Sequence, residues 1–252
     1  MSLVSTRAVL LRAFPYGETS LILHFFTEDL GRVGVMARGA RKRGGSTGSG
    51  LETFTSGVLT AYVKETRDLQ TLKDFTPVAA RQDLGRDVVR FGAASVLGEL
   101  VLRHGGEASS PELFEALEQA LVDVDRASAE SLVPVVLARM WGVVATLGYH
   151  PVVDRCVACG RELDDREMGR FDHAAGGIRC GDCEAEVHGP RVGPGARRQL
   201  SDLLSGSPVP VQRPRAHLQL LSDFVTYHVS DTRTLQALSV LAALLPPSEA
   251  DG

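Results

Sequence analysis

Residues Arg32-Val33-Gly34-Val35-Met36-Ala37-Arg38 alternate with a period of two. Val33, Val35 and Ala37 fall on one face, and Arg32, Gly34, Met36 and Arg38 on the other, as in a half-buried strand. The flanking sequence reads the same way. Thr6 to Phe14 and Ser20 to Thr27 are apolar runs parted by the turn Pro15-Tyr16-Gly17-Glu18, and Asp29-Leu30-Gly31 makes the next turn. Residues 54–64 alternate again, with Leu59, Ala61 and Val63 opposite Val58, Thr60, Tyr62 and Lys64. Leu69 to Phe75 is a fifth, shorter strand. Five short strands with no long helix among them predict a small barrel of the OB type.

From about Asp83 the period becomes helical. Val88 to His104 is an apolar helix closed by Gly105-Gly106. Ser110-Pro111-Glu112 opens another, with serine at the cap, proline at the first helical position and an acid in the first turn. Ala129 to Tyr149 is nearly all apolar and is expected at the centre of a core, with Gly148 and Pro151 as stop signals. Helices are expected again over Pro194 to Leu204, Pro214 to Val229 and Thr232 to Leu245. The predicted fold class is α+β and multidomain. A five-stranded OB-fold barrel over residues 1–80 precedes an all-α domain over 81–252, which a cysteine-bearing module interrupts at about 154–190.

That module holds all four cysteines of the chain. Cys156-Val157-Ala158-Cys159 and Cys180-Gly181-Asp182-Cys183 are two C-x-x-C pairs at the spacing of a zinc ribbon. Each pair forms a knuckle, and two knuckles supply four soft thiolates for one tetrahedral Zn²⁺. Gly160 and Gly181 lie where such knuckles need permissive backbone. A closed four-thiolate set leaves no open position for substrate, so the zinc is expected to be structural, one per chain. Two disulfides would require an oxidising compartment, and no signal peptide is visible after Met1. A thioredoxin-like motif uses a single C-x-x-C beside a βαβ unit, which the pattern lacks. His173 and His188 are near enough in sequence to replace a cysteine, but read more simply as loop histidines.

Charge is unevenly placed. The net charge is −4, yet residues 1–80 carry ten Lys and Arg against seven Asp and Glu, while the remainder is acidic. An anion-binding face is therefore expected on the N-terminal part. Its densest element is the segment Arg38-Gly39-Ala40-Arg41-Lys42-Arg43, followed by a Gly/Ser-rich stretch to Gly50. The most apolar stretch, Leu132 to Leu147, contains Pro134 and Arg139 and is too short to span a bilayer. No membrane partner is expected.

In their order and spacing these residues resemble the RecO family of bacterial recombination mediators. The resemblance is carried by Ala8-Val9-Leu10-Leu11-Arg12, Tyr16-Gly17-Glu18, Phe26-Thr27-Glu28, Gly31-Arg32 and Ala37-Arg38-Gly39-Ala40-Arg41. It continues through Leu147-Gly148-Tyr149, Cys156-Val157-Ala158-Cys159-Gly160, Phe171, Gly176-Gly177, Cys180 and Cys183. It closes with Phe224-Val225-Thr226-Tyr227-His228-Val229 and Leu235. The resemblance implies an OB-fold, a helical domain and an inserted zinc ribbon. It also implies binding to single- and double-stranded DNA, annealing of complementary strands, and cooperation with RecR in loading RecA onto DNA coated by single-strand-binding protein. It leaves open a part for RecF and implies a cytoplasmic, nucleoid-associated protein. Some members of the family lack the four cysteines, which fits a staple better than a reaction centre.

Single-strand binders combine a positive groove with aromatic platforms. The candidates for phosphate contact are Arg38, Arg41, Lys42 and Arg43, with Arg32 on the strand face of Arg38 and with Arg12 and Lys64 extending the surface. Phe14, Tyr16 and Tyr62 are candidate stacking residues, although Phe14 and Tyr62 also suit a barrel core or an interface. A basic loop is in many proteins only a solvated face. Arg197 and Arg198 read as plain surface, whereas Arg213 and Arg215 around Pro214 read as surface or as a further DNA contact. No acid–base pair, Walker sequence or activated serine is present in pattern, so no enzymatic activity and no small-molecule substrate are expected. The competing readings are a protein-interaction adaptor working through the acidic helical part, and a thiol-redox or zinc enzyme.

Overall fold

A computed structural model describes residues 2–41, 51–185, 187–229 and 235–245. Five strands come first: β1 (Ser2–Tyr16), β2 (Ser20–Thr27), β3 (Gly31–Ala37), β4 (Ser56–Val63) and β5 (Leu69–Ala79). They close into a barrel in the order β1-β2-β3-β5-β4, with β3 and β5 parallel and the remaining neighbours antiparallel. This is the expected OB-type barrel. Closure depends on the length of β1, whose first half pairs with β4 and whose second half pairs with β2. A register shift between Leu10 and Arg12 bends the strand so that it serves both neighbours.

β1 is longer than the expected Thr6 to Phe14 and runs through Pro15 and Tyr16. The turn falls instead on Gly17, whose φ of +59° suits glycine. The predicted alternation holds in β3 and β4: Val35, Ala37, Leu59 and Ala61 are buried, whereas Arg38, Val58 and Tyr62 are exposed. The interior is filled by Ala8, Leu10, Leu23, Phe25, Val35, Leu59 and Phe75, with the rings of Phe25 and Phe75 5.0 Å apart.

Three helices follow: α1 (Val88–His104), α2 (Pro111–Arg126) and α3 (Leu132–Thr146). α3 is shorter than the expected Ala129 to Tyr149. Its end is a Schellman motif: Gly148 has φ +93°, its N–H donates to the Ala145 carbonyl, and the Tyr149 N–H donates to the Val144 carbonyl. At the other end the Ser131 N–H donates to the Ser128 side chain, which holds that segment as a turn. Short strands β6 (Gly169–Asp172), β7 (Gly177–Arg179) and β8 (Arg191–Val192) form a sheet in the order β7-β6-β8. α4 (Pro194–Leu204), α5 (Pro214–His228) and α6 (Gln236–Leu244) complete the chain. The expected helix start at Thr232 lies outside the described residues.

The chain divides into two compact units. The first is Met1–Asp87 with Leu97–Asp125, and the second is Val88–Val96 with Arg126–Gly252. The barrel thus shares its unit with α2 and the second half of α1. The second unit is built on α3, where Val136, Leu137, Met140, Trp141 and Val144 are buried. Among the described residues no helix is long and apolar enough to cross a membrane.

Candidate nucleic-acid interface and metal centre

One part of the barrel's outer surface is covered. Phe26 faces outward but is fully buried, because the chain at Gly105 passes against its ring. Arg7 lies over the ring of Phe114 in α2, 4.9 Å from its centroid, and pairs with Glu28 and Glu115. Gly31, at φ +63°, lets the β2–β3 turn approach the Ala108 carbonyl where any side chain would collide.

The uncovered part is set by register. Arg12 pairs with His24, and His24 with Gly34. Phe14 pairs with Ile22, and Ile22 with Met36. A groove of about 570 Å³ lies beside these rows, with His24, Arg32 and Gly34 on one side and Arg67, Asp68 and Gln70 on the other. The loop joining β4 to β5 forms that second wall and is tethered by one side chain. The amide of buried Gln70 donates to the carbonyls of Lys64 (3.3 Å) and Arg67 (2.5 Å), and its oxygen accepts from the Lys64 N–H at 2.8 Å. These bonds hold the loop in one conformation before any ligand arrives, which lowers the entropy lost on binding.

The sequence candidates divide by environment. Arg12 is exposed, with its guanidinium 5.9 Å from the Phe14 ring centroid. Arg38 and Lys64 are exposed and have no side-chain partner among the described residues. Arg41 is exposed; its backbone N–H donates to the Thr19 carbonyl at 2.9 Å and its guanidinium reaches the Gly17 carbonyl at 3.4 Å. Arg41 therefore sits against the β1–β2 turn. Arg32 is committed elsewhere: it donates to the Leu102 carbonyl at 2.7 Å and pairs with Glu107 at 3.0 Å. Lys42 and Arg43 lie outside the described residues. Phe14, Tyr16 and Tyr62 are 44, 53 and 36% exposed, so none of the three fills the barrel core. Burial first, and then the positive charges of Arg12 and Arg32, hold the His24 imidazole below the usual histidine range.

The four cysteine sulfurs converge to within 4.8 Å of one another. Cys159 and Cys180 have their Sγ atoms 3.9 Å apart, against about 3.8 Å for two thiolates at ordinary zinc–sulfur distance in a tetrahedron. The first knuckle is closed by hydrogen bonds from the Cys156 N–H to the Arg161 carbonyl and from the Gly160 N–H to the Cys156 carbonyl, with Gly160 at φ +76°. Gly181 lies outside the left-handed region, so the second knuckle does not need its freedom. The Cys180 N–H points at the Cys156 sulfur at 3.4 Å. Burial pushes the Cys156 thiol up, but the backbone N–H groups of Cys159, Cys180 and Ala158 outweigh it and bring the thiol down to about 6. The donor set suits a soft cation held by thiolates alone. Among the described residues, neither His173 nor His188 joins the cluster; His173 packs on Phe171 with ring centroids 5.1 Å apart.

Four of the module's arginines are paired within it: Arg155 with Asp154, Arg161 with Glu167, Arg170 with Glu184, and Arg179 with Asp172. Arg161 draws the Glu167 carboxyl down to about 2. Arg197, read from sequence as surface, is buried and donates to the Asp164 carbonyl, and Arg215 donates to the Leu245 carbonyl at the end of α6.

Two features were missed from sequence. Gln70 gave no signal, because its role depends on backbone groups three and six residues away that only the turn brings to it. Arg81 is buried, donates to the Phe54 carbonyl and the Ser56 hydroxyl, and pairs with Glu118 at 3.0 Å. This anchors the start of β4. Arg67, in the loop between β4 and β5, is a further cation lining the groove.

The comparisons with known proteins agree along the chain. The family described as "Recombination protein O N terminal" matches residues 1–81, and "Recombination protein O C terminal" matches residues 85–236. The DNA repair protein RecO of Desulfatibacillum aliphaticivorans is 30% identical over 240 residues, covering 90% of this chain and 92% of that one. The RecO of Anaeromyxobacter dehalogenans strain 2CP-C is 32% identical over 246 residues, at 91% and 92% coverage. That of Salinibacter ruber is 29% identical over 255 residues, at 96% and 95%.

Proposed function

The chain belongs to the RecO family of DNA repair proteins, and we propose that it is a DNA-binding recombination mediator, without enzymatic activity. It binds single- and double-stranded DNA through the barrel, anneals complementary strands, and with RecR helps RecA load onto DNA coated by single-strand-binding protein. RecF is a further candidate partner. The protein acts in the bacterial cytoplasm, at the nucleoid.

The observation that carries this reading is the uncovered barrel face, where Arg12, Arg38, Arg41 and Lys64 are exposed around a tethered β4–β5 loop. OB-folds bind oligonucleotides on the face of strands 2 and 3, between the loops that follow strands 1 and 4. Arg41 borders the first of those loops and Lys64 lies in the second. Guanidinium and ammonium groups there bind phosphates in any sequence and release counterions. Annealing needs no covalent step: screening the repulsion between two backbones and presenting their bases is sufficient. Lys42 and Arg43 are proposed as further phosphate contacts, while Arg32, paired with the Leu102 carbonyl and Glu107, lines the groove.

The cysteine cluster is assigned one structural Zn²⁺, held by Cys156, Cys159, Cys180 and Cys183. When bound, the ion fixes the two knuckles relative to each other. The closed donor set argues against thiol-redox or zinc-enzyme chemistry. A second reading, a protein-interaction adaptor, draws on a groove of about 370 Å³ in the second unit. Its lining is mostly apolar and includes Met168, Val192, Leu200 and Leu220.

The test is fluorescence anisotropy of a mixed-sequence single strand across a salt series. Changing Arg38 and Arg41 to Glu, and in a second variant Arg41, Lys42 and Arg43 to Glu, should abolish tight, salt-sensitive binding. Binding indifferent to these charges would move the function to the helical part.

A further inference from the structure

On a strand face that meets water, outward positions are ordinarily polar. Here one outward row is apolar on three successive strands: Phe14 of β1 pairs with Ile22 of β2, and Ile22 with Met36 of β3. Ile22 and Met36 are half-buried and Phe14 is exposed. Tyr16 lies one outward position further along β1. Among the described residues its side chain has no ring, cation or hydrogen-bond partner. The inward positions of the same strands, Ala13, Leu21, Leu23, Val35 and Ala37, already pack with the barrel core. The aromatic rings are thus not required to fill the barrel.

Phe14 is held in place. His24 meets its ring edge-on, with centroids 5.7 Å apart and planes at 85°. Arg12 reaches the ring from the neighbouring row. An apolar strip rimmed by Arg12, Arg38 and Arg41 suits a polyanion that also carries flat apolar faces. A nucleobase has such a face, and in a duplex both faces are covered by neighbouring bases.

We propose that Phe14 and Tyr16 form a stacking platform for unpaired nucleobases, and that this platform gives the barrel its preference for single strands over duplex. The inference rests on the DNA-binding reading above and adds the residues that discriminate. The arginines bind phosphates in either form of DNA. The aromatics gain only when bases are unstacked, and they do so for every base, because each has a π-face.

The experiment compares three ligands of equal length with the full chain: a mixed-sequence single strand, its duplex, and an abasic strand of sugar and phosphate alone. In the Phe14→Ala/Tyr16→Ala variant, single-strand affinity should fall by at least about 10-fold, with duplex and abasic affinities near wild type. Phe14→Trp should retain single-strand binding. Retained duplex binding also reports that the variant is folded. Equal losses on all three ligands, an unchanged single-strand affinity, or wild-type binding to the abasic strand as tight as to the base-bearing one would each overturn the platform. A strip that serves a protein partner would show itself as unchanged affinities throughout. If the wild-type chain binds none of the three, the DNA-binding reading itself falls and the platform with it.

Discussion

The ring of Phe171, on β6 of the cysteine-bearing module, meets the ring of Phe224, on α5, nearly edge to face, with centroids 6.2 Å apart and planes at 77°. Phe224 in turn packs on Trp141 of α3 at 5.4 Å. All three side chains are buried. The module is therefore continuous with the apolar core of the second unit, and burial of a ring such as Phe171 is worth about 2–3 kcal/mol.

Loss of a ligand should propagate along that contact. Cys180→Ser is expected to reduce bound metal well below one per chain and to lower the melting temperature by on the order of 10 °C, because metal binding in such modules is coupled to folding. DNA binding by the barrel should largely survive. Native mass spectrometry with parallel calorimetry checks both. Full zinc stoichiometry in the variant would refute the ligand assignment.

Arg38 and Arg32 should behave differently although they lie on the same strand face. Arg38→Ala is expected to reduce the slope of log affinity against log salt by about 1, with little change in stability. Arg32→Ala should instead lower stability, since it leaves the Leu102 carbonyl and Glu107 without their partner. A salt-series titration beside urea unfolding of each variant distinguishes the two roles.

The pair of buried Arg81 and half-buried Glu118 offers a stability test. Glu118→Leu leaves the Arg81 charge without its counterion, and breaking such a pair costs about 3–5 kcal/mol. The residual bonds from Arg81 to Phe54 and Ser56 place the expected loss near the lower figure. Denaturant unfolding measures it, and a loss below about 1 kcal/mol would show that the pair is not the anchor of β4.

His217 sets a pH dependence. It is buried, with Nε2 at 3.2 Å from the Gln199 side-chain oxygen, and burial holds it below the usual histidine range. Between its lowered folded value and about 6.5 the unfolded chain binds more protons than the folded one. Stability is therefore unaffected above about pH 6.5 and declines as pH falls below it. Burial holds His173 below the usual range as well, which adds in the same direction. Urea midpoints at about pH 7.5 and 5.5 should differ more for the wild type than for His217→Gln; equal shifts would remove His217 as a contributor.

The sequence alone determined the five barrel strands and several of the helices, though not the ends of β1 and α3 or the strands β6 to β8. Strand β3 was legible because alternation is a property of consecutive residues, and α1 and α4 were placed residue for residue because their limits are marked by local glycine and proline. The cysteine quartet was legible because ligand spacing is written in the chain. Tertiary structure decided which charges remain available. Arg32 and Arg38 look equivalent in sequence, but Arg32 meets Leu102 and Glu107, some seventy residues away. Only the fold brings that carbonyl and that carboxylate to the guanidinium, and only the register of three strands sets Phe14, Ile22 and Met36 in one outward row. A side chain's period is fixed by its neighbours in sequence. Its partners are fixed by neighbours in space, which depend on barrel closure and on where the helices lie against it.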